Sequence, residues 1–176
     1  MAEPMFMRSD QGTNNVIWTI VPFFSTVLCI LFTMIPLGLS NAFMAPPSFA
    51  LMAIFTWILV RPSLMPAAAV VVLGLLQDLI WGGPLGLWGV VFLLAYVLTL
   101  SQRQFLNGRG FGITWAAFGV VAVVCELLAW IIASLFYWQV MPVLPILSQT
   151  ILSFAFYPLF GRMAPFFVRH IGAQGS

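Results

Sequence analysis

From residue 16 to residue 160 one apolar stretch follows another, and over that length only Arg61, Asp78, Arg103, Arg109 and Glu126 carry charge. A surface in contact with water keeps far more charge than this, so something other than water has to cover these stretches. At about 1.5 Å of rise per residue, a helix needs roughly 17 to 25 apolar residues to cross about 30 Å of hydrocarbon. Six segments come close: 16–39, 45–60, 64–81, 85–100, one within 111–140, and 143–160. The prediction is an all-α membrane protein of six transmembrane helices. It divides the chain into an N-terminal tail over 1–15, a six-helix domain over 16–161 and a C-terminal tail over 162–176. The second segment is the short one, because Pro46 and Pro47 trim its helix from the front.

Charge placement tests the count. All six basic residues are arginine, and with the N-terminus inside, Arg8, Arg61, Arg103, Arg109, Arg162 and Arg169 all fall on the cytoplasmic side. The loops around Asn41, Gly83 and Met141 carry no charge. Were the second segment to dip in and return, five of those six arginines would face outward. Both termini are therefore expected in the cytoplasm, and the second segment is expected to cross, either by starting a few residues early or by thinning the bilayer locally. Trp18, Trp57 and Trp115 fall near inner ends and Trp81, Trp88 and Trp138 near outer ends, the usual interfacial belts, with Trp130 alone deep. The formal charge of +2 is too small and too dispersed for a nucleic-acid footprint. Residues 1–15, with Glu3, Arg8 and Asp10 and no cleavage pattern, read as a retained cytoplasmic tail. Pro165, Phe166 and Phe167 ahead of Arg169 and His170 read as a short interfacial segment. Cys29 and Cys125, near mid-span, read as small apolar fillers.

Two acids lie inside the spans, where an ionisable group costs roughly 2.5 to 3.5 kcal/mol to insert and marks a candidate site. Asp78 belongs to the stretch Gly74 to Gly86, in which Gly82, Gly83 and Pro84 break one helix and the next begins at once: a helical hairpin. Gly74, four residues before Asp78, shares its face and admits a close neighbouring backbone. Two roles stay open for Asp78: bonding backbone donors at the start of the fourth span, or contacting a partner. The first predicts that Asn largely replaces it and Ala does not. Glu126 lies seventeen residues from Arg109, about 25 Å along a helix. It is expected to be uncharged and to donate to a polar group such as Gln149 or Ser153. Ala129 and Ala133 read as an internal packing seam. The only histidine, His170, is on the terminal tail, so no metal site, cofactor site or His-based triad is expected.

The segment 62–100 resembles the MreD family of bacterial rod-shape-determining membrane proteins. The likeness rests on Gly74, Leu75 and Asp78, on Gly83, Pro84, Leu85 and Gly86, and on Tyr96 in the helix that follows. It implies a non-enzymatic, multi-pass component of the bacterial inner membrane that acts as a scaffold for cell elongation and peptidoglycan synthesis. The implied partners are an MreC-like periplasmic protein and, through it, MreB-like filaments and a RodA-type glycosyltransferase with its transpeptidase. The family is also similar in its six-helix architecture to the substrate-binding subunits of energy-coupling-factor transporters, which supplies an alternative function in vitamin transport. The alanine-rich docking motif of those subunits has no counterpart between Asn15 and Asn41, where Ser25 and Cys29 come nearest. Gln77 and Asp78 would mark what remains of their pocket.

Overall fold

The computed structural model describes residues 9–34 and 45–172, with side chains described over 20–34 and 45–162. Over these the chain is helical throughout: α1 (Ser9–Phe32), α2 (Phe49–Val60), α3 (Ala67–Trp81), α4 (Leu87–Leu106), α5 (Phe111–Phe136) and α6 (Val143–Gly172), with one 3-10 turn at Pro62–Leu64. Leu87–Leu106, Phe111–Phe136 and Val143–Arg162 are long and apolar enough to cross a membrane, whereas Ile20–Phe32, α2 and α3 are shorter apolar helices. Large apolar side chains such as Phe24, Leu79, Val120 and Ile151 stand exposed around the bundle, as hydrocarbon-facing helices require. Two helices outrun the segments read from sequence. Ser9, where α1 begins, falls within the stretch assigned to the N-terminal tail, and α6 continues past Phe160 to Gly172. Glu3, Arg8 and the loop around Asn41 lie outside the described residues, as do the side chains of Trp18, Arg169 and His170.

The short α2 is the centre of the bundle. All of its residues except Trp57, Leu59 and Val60 are buried, and it packs on α1, α4, α5 and α6. A helix apolar on every side belongs inside other helices rather than against one of them. Twelve residues span only about 18 Å, but protein surrounds the entering end, where Pro47 and Ser48 are buried, so irregular backbone is tolerated there. The chain entering α2 shows how. Ala45 N donates to Ser148 Oγ at 3.1 Å and Ser48 N to Ser153 Oγ at 2.8 Å, while Pro46 and Pro47 have no N–H to satisfy. Phe55 sits edge-on to both Phe118 and Tyr157, which stack on each other at 4.2 Å between centroids. This aromatic cluster ties α2, α5 and α6 together.

Antiparallel neighbours bring the described arginines to one end. Arg103 Nε donates to Leu59 O at 3.1 Å, which places the end of α4 beside the end of α2 and Arg61. Arg109 lies over the Phe105 ring at 3.7 Å, and Arg162 over Phe111 at 5.9 Å, so the end of α6 meets the start of α5. At the opposite end a cavity of about 80 Å³ is walled by Thr33 just after α1, residues 45–48, Gln77 and Trp81 of α3, Trp88 of α4 and Gln149 of α6.

Candidate functional site

The α3–α4 hairpin is built on one aspartate. Asp78 is fully buried in the last turn of α3. Its backbone carbonyl accepts from Gly82 N at 2.9 Å, closing the helix on a left-handed glycine with φ +66°. Its carboxyl oxygens look the other way: Oδ2 accepts from Gly86 N at 2.7 Å and Oδ1 from Trp88 N at 3.1 Å. Gly86, the N-cap of α4, has φ +96° and no side chain with which to cap. The acid of the preceding helix therefore does the capping, with its carboxyl oxygens placed at the positive end of the α4 dipole.

Glycine also sets how closely the two helices lie. A Cβ on Gly74 would sit 2.6 Å from the Trp88 carbonyl carbon and closer still to the backbone of Gly89. The backbones of α3 and α4 thus touch at Gly74 and Gly89, four residues before the acid on one helix and at the third residue of the other. This is what lets so short a side chain reach across. Gly83 and Pro84 complete the turn, and a Cβ on Gly83 would meet open space. The reading from sequence missed Gly89, whose only signal was its three-residue spacing from Gly86. It also missed Ser148 and Ser153 as acceptors for the chain entering α2.

The other polar residues singled out are not brought together. Glu126 is buried, 3% exposed, but it meets neither Gln149 nor Ser153, and its Oε1 has no hydrogen-bond partner. The reason is helical register. Gln149 and Ser153 are four apart and share a face of α6, and that face looks toward α2 and the hairpin. Ser153 Oγ is engaged by Ser48 N, and Gln149, half-buried, shares its cavity with Gln77. The face of α6 turned to Glu126 carries Val143, Ile146, Leu147 and Thr150 instead. Trp130, deep by sequence, sends its Nε1–H to Met141 O at 3.1 Å and so ties α5 to the turn that follows it. Among the described residues, no group of His, Cys, Asp and Glu has the arrangement needed to hold a metal.

Residues 13–167, most of the chain, match the family profile described as rod shape-determining protein MreD. No curated protein and no solved structure matches the chain. The match extends well beyond the hairpin motif on which the resemblance was first drawn, and it gives no support to the transport alternative. A helical bundle with hydrocarbon-compatible faces, carrying the Asp78 hairpin within the matched span, belongs to the MreD family of rod shape-determining membrane proteins.

Proposed function

We propose that this chain is a non-enzymatic scaffold of the bacterial cell-elongation machinery, set in the inner membrane with six crossings and both termini in the cytoplasm. It holds an MreC-like partner and, through it, MreB-like filaments and a RodA-type glycosyltransferase with its transpeptidase. The observation that carries this reading is the family match over residues 13–167, since shape determination is what that family is described as doing. Two features support the scaffold part. Asp78 is consumed by bonds that build the fold, with both oxygens engaged by backbone donors. The hairpin of Gly74, Asp78, Gly82, Gly83, Pro84 and Gly86 is thereby a rigid corner that fixes the outer turn a partner would meet. Gathering of Arg61, Arg103, Arg109 and Arg162 at the other end supports placing that end in the cytoplasm.

The test is a mild-detergent pull-down of the tagged chain from its native membranes, with co-purifying proteins identified by mass spectrometry. Recovery of the cell-wall elongation set is the expected result. Recovery of an ATPase and coupling subunit of a transporter in its place would overturn the reading.

A further inference from the structure

A groove on the hydrocarbon-facing side of the bundle holds a carboxyl group with one oxygen that no described residue satisfies. It runs between α5 and α6, encloses about 150 Å³, and is walled by Val123, Leu127, Trp130, Ile146 and Leu147 around Glu126. Glu126 is 97% withdrawn from the surface, being 3% exposed, and its Oε1 is without a partner. The polar groups that share the groove are already engaged. Thr150 Oγ1 donates to Ile146 O at 2.9 Å, and Trp130 Nε1 donates to Met141 O at 3.1 Å. Glu126 is the sixteenth of the 26 residues of α5, about 22 Å from one end and 15 Å from the other, which is hydrocarbon depth rather than headgroup depth.

What fills the groove has to satisfy that carboxyl group. Acyl chains can occupy the volume but bring neither donor nor acceptor, and an unpaired polar group in hydrocarbon is the costly case. A second copy of this chain fares no better. Among the described residues, large side chains exposed well inside the helices, such as Val97, Val120 and Ile151, are apolar, and Glu126 itself lies too deep to reach its counterpart. A helix from a different protein can do both. The furrow between two helices seats a third, and an interhelical hydrogen bond supplies the attraction that hydrophobic expulsion cannot supply in lipid.

We propose that the α5–α6 groove receives one membrane-spanning helix of another protein, which presents a hydrogen-bonding side chain, of the Ser, Thr, Asn, Gln or His kind, to Glu126. This rests on the scaffold reading and adds to it the surface used and the chemistry of the contact.

The experiment places a photoreactive benzophenone amino acid at Leu127 or Leu147 of the full chain in native membranes, with the same probe at Leu79 on α3 for comparison. Adducts are mapped to peptides by mass spectrometry. The expected adduct from Leu127 and Leu147 is with the membrane-spanning segment of a single protein, in a peptide containing a polar residue, while Leu79 gives lipid. Adducts only with lipid, or only with a second copy, overturn the proposal. In a second arm, Glu126→Gln keeps the adduct within about twofold, and Glu126→Leu lowers it by about tenfold or more at equal protein in the membrane. An undiminished adduct with Glu126→Leu also overturns it. Should that variant fail to accumulate, the mapping with native Glu126 decides alone. Co-purification from the same membranes separates this idea from the one beneath it. The elongation set recovered with lipid-only adducts removes the groove and leaves the scaffold, whereas a transporter's subunits in place of that set remove the scaffold reading itself.

Discussion

Asp78 ends one helix through its backbone and starts the next through its side chain, and the two tasks use different atoms. That division sharpens what substitution should do. Asn has one acceptor oxygen where the geometry uses two, with separate oxygens at 2.7 Å from Gly86 N and 3.1 Å from Trp88 N. It keeps one bond and turns an N–H₂ toward the other donor. Asp78→Asn is expected to lower stability by about 1–3 kcal/mol, the cost of one unsatisfied buried group, and Asp78→Ala by roughly twice that. Thermal unfolding in detergent checks the order native, Asn, Ala; equal stability of Asn and native would show that one oxygen suffices. The acid's place one turn before the Gly-Gly-Pro break was legible, but the choice between bonding the next helix start and contacting a partner was not, and the bonds to Gly86 N and Trp88 N supply the first. The surroundings of Glu126 were not legible either. Sequence gives the depth of a side chain along a helix, but the rotation of the facing helix decides which of its residues are met, and α6 turns Gln149 and Ser153 away.

The α3–α4 pairing concentrates its tolerance and its intolerance on two glycines that look alike in sequence. A Cβ on Gly74 runs into the backbone of Gly89 and Trp88, which cannot move without parting the helices. A Cβ on Gly89 meets only Val71 O at 3.8 Å and Leu75 Cδ2 at 3.9 Å, ordinary contacts. Gly74→Ala is therefore expected to destabilise by about 1–3 kcal/mol through overpacking, and with it to loosen the Asp78 bonds. Gly89→Ala is expected to be neutral or to stabilise by up to about 1 kcal/mol, by restricting the unfolded chain. Unfolding midpoints of the two variants test the asymmetry, and similar losses at both sites would refute it. For α2 the relevant donor is Ser48 N–H, buried and held by Ser153 Oγ. Ser153→Ala leaves it unpartnered, for an expected loss of about 1–3 kcal/mol, while Ser148→Ala costs less because Ala45 is only half-buried. Hydropathy showed that α2 exists and that it is short. It did not single α2 out as central, because in a chain whose spans are all largely apolar, hydrocarbon as well as protein can cover such a helix.

The whole molecule turns on whether α2 crosses, because every later connection changes sides with it. Its helix reaches only about 18 Å against about 30 Å of hydrocarbon. The surrounding helices and the two serine bonds let the 45–48 strand of chain occupy membrane depth without exposing a donor to lipid. A second, independent constraint is the gathering of Arg61, Arg103, Arg109 and Arg162 at one end, which a crossing α2 places in the cytoplasm and a returning one places outside. Single cysteines decide between them in a chain whose Cys29 and Cys125 are replaced by alanine. Leu85 and Trp138, 73% and 94% exposed, lie in the turns after α3 and α5. Ser63 and Asn107, both exposed, lie in the turns after α2 and α4. With six crossings, a membrane-impermeant maleimide labels Leu85→Cys and Trp138→Cys on intact spheroplasts, and labels Ser63→Cys and Asn107→Cys only after permeabilisation. A returning α2 reverses all four, so labelling of Ser63→Cys and Asn107→Cys from outside would refute the six-crossing arrangement and move the arginine end out of the cytoplasm.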